Sequence, residues 1–116
     1  MSHFSTLRTK ITEAATLQQS LRDLGFTVQQ NADVRGYNNQ RVRADIVAVL
    51  EGEYDLGWSQ NPDGSYDLIA DLWGVAKKHN QTELINSINQ KYAVNKTLAE
   101  VKRPGLSNAN VKVVMH

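Results

Sequence analysis

Three arginines crowd the stretch DVRGYNNQRVRADI, residues 33–46: Arg35, Arg41 and Arg43, set around Gly36, Tyr37, Asn38 and Asn39. Guanidinium forks match the planar oxygens of carboxylates and phosphates. A glycine lets backbone amides approach an anion. If Arg41 begins a strand, Arg41 and Arg43 share a face about 6.5–7 Å apart along it. Asp45 follows on that face and can neutralise Arg43. Two readings stay open. The stretch receives an anionic ligand or an acidic partner, or its arginines are solvated strand charges beside a turn, paired across a sheet with Asp or Glu.

Glu51, Glu53, Asp55, Asp67 and Asp71 form the second group. Such carboxylates can serve acid–base chemistry or a hard metal. The Asp-x-Asp-x-Asp-Gly spacing of a calcium loop is missing, however. Alternating acids are expected on the outer face of a half-exposed sheet, where they can pair with Arg41 and Arg43 on a neighbouring strand. His3, His79 and His116 share no metal-ligand spacing. There is no Gly-x-Ser-x-Gly elbow for a serine nucleophile. Gly52 and Gly57 have phosphate-loop spacing but lack the Lys-Ser/Thr that must follow. We assign no catalytic residue, no metal and no cofactor, and the reading leans against an enzyme.

Aromatic side chains are the third group. Trp58 and Trp73, with Tyr54 and Tyr66, are candidates to stack bases as exposed aromatics on a sheet do, although Trp58 is expected in the core. Arg35-Gly36-Tyr37 matches only the first three positions of the RNA-recognition string. Trp73, beside Gly74, can anchor a partner. Lys77, Lys78 and His79 read as a solvated helix start.

The 116 residues carry a formal net charge of +1 and no cysteine. That length predicts one domain over residues 1–116, large enough to bury a core. Balanced charge removes the general argument for nucleic acid. Without cysteine there is no thiolate-held cluster. The opening residues lack the apolar region of a secretory signal, and no apolar run reaches the roughly 18 residues of a membrane helix.

These side chains must be positioned by a short list of elements. A first strand is expected within residues 2–10. A helix over 12–24 follows, capped by Thr12, with Leu17, Leu21 and Leu24 as its stripe and Gly25 behind it. FTVQQ reads as a strand and NADVRGYNNQ as a connection. RVRADIVAVL is a central strand, apolar on both faces in its second half. Asn61-Pro62-Asp63-Gly64 is a strong turn between two alternating flanks, hence a hairpin. Residues 72–80 are a short helix or irregular. Residues 81–105 are mostly helical, with a kink or break near 92–95 and a stop at Pro104-Gly105. NVKVVMH closes as a strand. The expected fold is α+β: a ferredoxin-like sandwich with an antiparallel or mixed sheet of about five to six strands and two main helices on one face.

The words SHFSTLRTKI, ADVRGY, VRADIVAVLEGEYDLGW, DLIADLWGVAKKHN and INQKYAVNKTL carry a family resemblance. Together they are similar to the uncharacterised hypothetical-chloroplast-frame family of cyanobacteria and red-algal plastids, a domain of unknown function. The resemblance spans essentially the whole chain. It implies a cyanobacterial cytoplasm or a plastid stroma. It also implies, through gene neighbourhood alone, a small ferredoxin-type protein among the partners to consider. It offers no catalytic motif to transfer.

The expected function is therefore an accessory or adaptor protein that binds a protein partner, with no membrane and no nucleic acid. Its candidate residues are Arg35, Gly36, Tyr37, Asn38, Asn39, Arg41, Arg43 and Trp73. The alternatives are a small anionic-ligand or nucleotide binder through Arg35, Arg41 and Arg43, and an RNA-binding module.

Overall fold

A computed structural model describes residues 3–101. The elements run β1 (Ser5–Arg8), α1 (Ala14–Asp23), β2 (Thr27–Arg35), β3 (Arg41–Val49), β4 (Leu56–Gln60), β5 (Tyr66–Ala70), α2 (Leu72–Val75) and α3 (Gln81–Val101). A single 3₁₀ turn, Tyr37–Asn39, joins β2 to β3. The five strands form one antiparallel sheet in the order β1-β5-β4-β3-β2. The α+β class holds. Four strands follow one another as a meander and β1 is added beside β5. The two interleaved β-α-β halves of a ferredoxin-like sandwich are not seen among the described residues. The closing strand read at NVKVVMH and the stop at Pro104-Gly105 lie outside them.

Alternation decides which side chains the helices cover. Ile46, Ala48, Leu50, Leu56, Trp58, Leu68 and Ala70 point to one face and are buried there with Leu17 and Leu21 of α1 and Ile88 and Tyr92 of α3. Each fully buried aliphatic side chain of this kind contributes about 1.5–3 kcal/mol. The α1 stripe is shorter than expected, since Leu24 is exposed. Thr12 does not cap α1. Instead the Tyr92 hydroxyl accepts hydrogen bonds from the Thr12 and Glu13 amides at 3.0 and 3.1 Å. A tertiary contact thus satisfies donors that the helix start leaves open, where a local cap was expected. Asn95 reinforces the pair of helices by donating to Ser20 Oγ at 3.0 Å. The α3 helix runs through residues 92–95 without the expected break, because Tyr92 and Asn95 both face α1 and hold its middle.

The opposite face of the sheet has a second, smaller core: Val34, Ala44 and Val47, with Phe4, Ala32 and Val49 against it. It exists because the β2–β3 hairpin bends. The ladder pairs Gln30 with Ile46 and Ala32 with Ala44, but Asn31 is left-handed at φ 48° and is skipped. Asp45, opposite it, turns its carboxylate outward to accept the Gln60 amide at 2.7 Å. β4 pairs with β3 only at Ile46, Val47 and Ala48. Beyond that point the outer half of the hairpin is free of β4 and folds across the back of the sheet. Val34 consequently lies directly over Gly57. A Cβ on Gly57 would overlap Val34 Cγ2 and press on Ala44 Cβ at 3.0 Å, so only glycine admits this crossing. The expectation that NADVRGYNNQ is a connection is corrected here: β2 continues to Arg35, and only residues 36–40 form the turn.

Candidate functional site

The folded-over arm brings Arg35, Gly36 and Tyr37 to parts of the chain that are remote in sequence. Gly36 is buried against the ring of Phe4. Arg35 meets Asp55, just ahead of β4. Arg35 Nε donates to Asp55 Oδ2 and Nη2 to Oδ1, each at 2.8 Å, and the Arg35 amide donates to Oδ2 at 3.0 Å. Asp55 Oδ1 also accepts the Leu50 amide at 3.2 Å, while its own amide donates to the Arg35 carbonyl at 3.2 Å. The Asp55 side chain is 2% exposed and that of Arg35 30% exposed. Hydrogen bonding to Asp55 holds the Arg35 guanidinium above its ordinary pKa, against the effect of burial. Arg35 is thereby committed to the fold.

Asp71 is the second anchor. It is 1% exposed and sits at the end of β5. One oxygen, Oδ1, caps α2 by accepting the Gly74 amide at 3.1 Å, and the other, Oδ2, accepts the Tyr37 amide at 3.1 Å. One carboxylate thus ties the arm tip to the short helix that carries Trp73. Two candidate regions separated by more than thirty residues become one surface. Tyr37 is 43% and Trp73 55% exposed. Tyr54 lies beside them with its ring packed on Gly74. Burial raises the Tyr54 phenol pKa, and the nearby Asp71, Glu53 and Tyr37 raise it further. Lys77 places its Nζ 4.3 Å from the centre of the Trp73 ring, a cation–π distance.

The expectation that the acids line an outer sheet face fails for Asp55 and Asp71, both buried. Residues 51–55 form bends and a connection, so the Glu51, Glu53, Asp55 row does not exist as a strand face. The arginines divide. Arg43 lies 3.5 Å from Asp33 across the hairpin, with both side chains largely solvated. Arg41 donates to Asn39 Oδ1 at 3.3 Å. Arg35 and Arg41 line a depression of about 410 Å³ with Gly36, Asn38, Asn39, Glu53 and Tyr54, and Arg43 is not part of its lining. Asn38 and Asn39 are both left-handed, with φ 55° and 63°, a conformation asparagine tolerates better than most residues. Trp58 and Tyr66 are core residues, so half of the four aromatics considered for base stacking are unavailable for it. Among the described residues no three His, Cys, Asp or Glu side chains gather to hold a metal ion, and no helix is long and apolar enough to cross a membrane.

Sequence reasoning found the arm and Trp73 but missed the carboxylates that join them. For Asp71 a signal was present: an acidic residue three positions before Gly74 at a helix start is an N-cap pattern. For Asp55 no local signal exists, since its partners are twenty and five residues away.

Fold and site together define a small α+β protein whose exposed aromatic surface is held by two buried carboxylates. Comparison with known proteins adds the family. Residues 20–114 match the family described as "Protein of unknown function (DUF1257)", and the chain belongs to it. It is 34% identical over 115 residues to "Uncharacterized protein ycf35" of Guillardia theta, covering 97% of this chain and 88% of the relative. It is 32% identical over 107 residues to the protein of the same description from Pyropia yezoensis, covering 90% of this chain and 82% of the relative. The protein of that description from Trieres chinensis is 27% identical over 107 residues, covering 90% and 83%. The resemblance to an uncharacterised plastid-frame family is borne out. No solved structure matches the chain.

Proposed function

We propose that this protein is a non-enzymatic accessory protein that binds another protein through the surface built by Tyr37, Trp73 and their surroundings. One observation carries the reading: Asp71 holds the backbone of Tyr37 and the helix of Trp73 together, yet leaves both rings in solvent. Large aromatics exposed on a pre-organised support are typical anchors at interfaces, and a rigid support reduces the ordering cost of binding. Lys77 stands over the Trp73 ring and Arg41 lines the depression at the arm tip, so a partner with acidic groups facing them is favoured. The family resemblance makes a small ferredoxin-type protein the first partner to try, in the cytoplasm of a cyanobacterium or the stroma of a plastid.

The test uses capture from native extract followed by reconstitution with the purified partner. The wild type should retain a protein that the Tyr37→Ala/Trp73→Ala variant loses, with at least a tenfold weaker Kd for the variant in the purified pair. A pair of equal affinity for both chains would sink the proposal.

A second reading rests on the depression at Arg41. No carboxylate pairs with this guanidinium among the described residues, and it can receive a small carboxylate or phosphate beside Asn38 and Asn39. Glu53 on the same wall weakens that reading. Titration with inorganic phosphate, followed by amide shifts of residues 36–41 in wild type and Arg41→Ala, decides it.

A further inference from the structure

Tyr54 borders the depression at Arg41, and it also borders a second hollow of about 410 Å³. The far wall of this second hollow is the turn after α2, with Lys77, Lys78 and His79. Glu53 and Tyr54 are the two residues that both hollows share, so they stand as a ridge between them. The ridge is held in place. A Cβ on Gly74 would overlap the Tyr54 ring, and the Gly74 amide is bonded to Asp71. His79 Nε2 lies 3.3 Å from the Glu51 carbonyl oxygen and ties the turn to residues 51–54.

Each hollow has its own cation. Arg41 lines the first. In the second, the stem of Lys78 lies on the left-handed Gly52, where a Cβ would stand 3.1 Å from Lys78 Cδ. Lys77 shares that wall and reaches over Trp73. None of these three cations forms an ion pair among the described residues. Glu53 puts negative charge on the ridge itself. The surface therefore reads positive, negative, positive across Tyr54.

We propose that this surface recognises an extended acidic segment of its partner protein, with carboxylate side chains at positions i and i+2 seated one in each hollow. The proposal rests on the reading of the surface as a protein-binding one, and it names the chemistry that the partner must present. Spacing supports it. Groups packed on opposite sides of an aromatic ring lie about 7 Å apart, twice a van der Waals contact. Alternate side chains of an extended chain stand about 6.5–7 Å apart on one face, and the residue between them points away. Adjacent acids cannot fill both hollows, because they point to opposite sides of the segment. A carboxylate seated over the ridge would meet Glu53. Acids that flank Tyr54, with none above it, complement the charge pattern.

The test follows backbone amide shifts of the full chain during titration with short blocked peptides. One carries Glu-Thr-Glu, one Glu-Glu-Thr and one Gln-Thr-Gln. Glu-Thr-Glu should move the amides of residues 36–41 and 74–79 along one binding curve, at least fivefold tighter than Glu-Glu-Thr, with Gln-Thr-Gln weakest. Arg41→Ala and Lys78→Ala should each remove the preference for Glu-Thr-Glu over Glu-Glu-Thr. Both side chains are exposed, so neither change threatens the fold. Shifts at one hollow only, or at neither, would overturn the proposal. Equal affinity for the two acid orders would overturn it too. So would equal shifts with acetate at the same carboxylate concentration, which would show two independent anion sites. Failure here leaves the aromatic anchors standing, since Tyr37→Ala/Trp73→Ala tests them separately against the purified partner.

Discussion

Two hairpins of this sheet solve the same problem in opposite ways. The β4–β5 turn satisfies itself. The Asn61 amide donates to the Ser65 carbonyl at 2.7 Å, the Gly64 amide donates to the Asn61 carbonyl at 2.9 Å, and Asp63 Oδ1 accepts both the amide and the hydroxyl of Ser65 at 2.9 and 2.6 Å. Gly64 supplies the positive φ of 94°. Each of these partners lies within five residues of the others. The β2–β3 arm has a sound turn of its own, but its position comes from Phe4, Asp55, Gly57 and Asp71, none of them in the hairpin. A turn encoded locally can be read locally. An arm placed by distant carboxylates and a distant glycine cannot, and the proposed binding surface lies on the hairpin whose position the rest of the chain dictates.

The comparison can be broken most severely at Arg35. Truncation to alanine leaves Asp55 buried without its counter-charge and should cost about 3–5 kcal/mol, visible as a lowered urea midpoint. Asp55→Ala should cost less, because the abandoned guanidinium is partly solvated. The reverse ranking would mean that the pair is not what holds the arm.

Gly57→Ala comes next. A methyl against Val34 and Ala44 has no room, and overpacking of this kind costs about 1–3 kcal/mol. The arm should lift, so hydrogen exchange at residues 32–36 should rise more than at residues 66–70. Equal rises would show that the crossing is not the strained element.

Tyr37→Ala and Trp73→Ala should each change stability by less than about 0.5 kcal/mol, since both rings are exposed and the latch uses the Tyr37 amide. Loss of binding without loss of stability is the signature expected. A fall in Tm of several degrees would mean that the rings support the fold instead.

The smallest effect belongs to the self-sufficient turn. Hydrogen bonds from Ser65 hold Asp63 below the ordinary 3.8 of its carboxyl group. Because the folded pKa is depressed, the contribution is complete above pH 3.8 and disappears as pH falls through the lower folded value. Asp63→Asn should therefore flatten the acid limb of the stability curve slightly. An unaltered acid limb would mean that the turn owes nothing to that carboxylate.

What could be read in advance follows the same division. The helix after residue 12, the strand RVRADIVAVL and the Asn-Pro-Asp-Gly hairpin were legible because periodicity and turn chemistry act over a few residues. The burial of both faces of β3 was legible from Ile46, Val47 and Ala48 standing together. The bend at Asn31 was not, because left-handed asparagine in a strand leaves no pattern in its neighbours. The roles of Asp55 and Asp71 were hidden for a different reason: an acid beside a strand is far more often solvated than buried, and only tertiary proximity reveals the exception. Candidate residues in the arm were thus seen as a group, while the division of labour among Arg35, Arg41 and Arg43 was not.

The anchor at Tyr37 is a peptide N–H, which every residue except proline possesses. Position 37 can therefore exchange its side chain freely while the tip stays where it is. A lineage could alter what this surface recognises one substitution at a time, without first acquiring a compensating change in the scaffold.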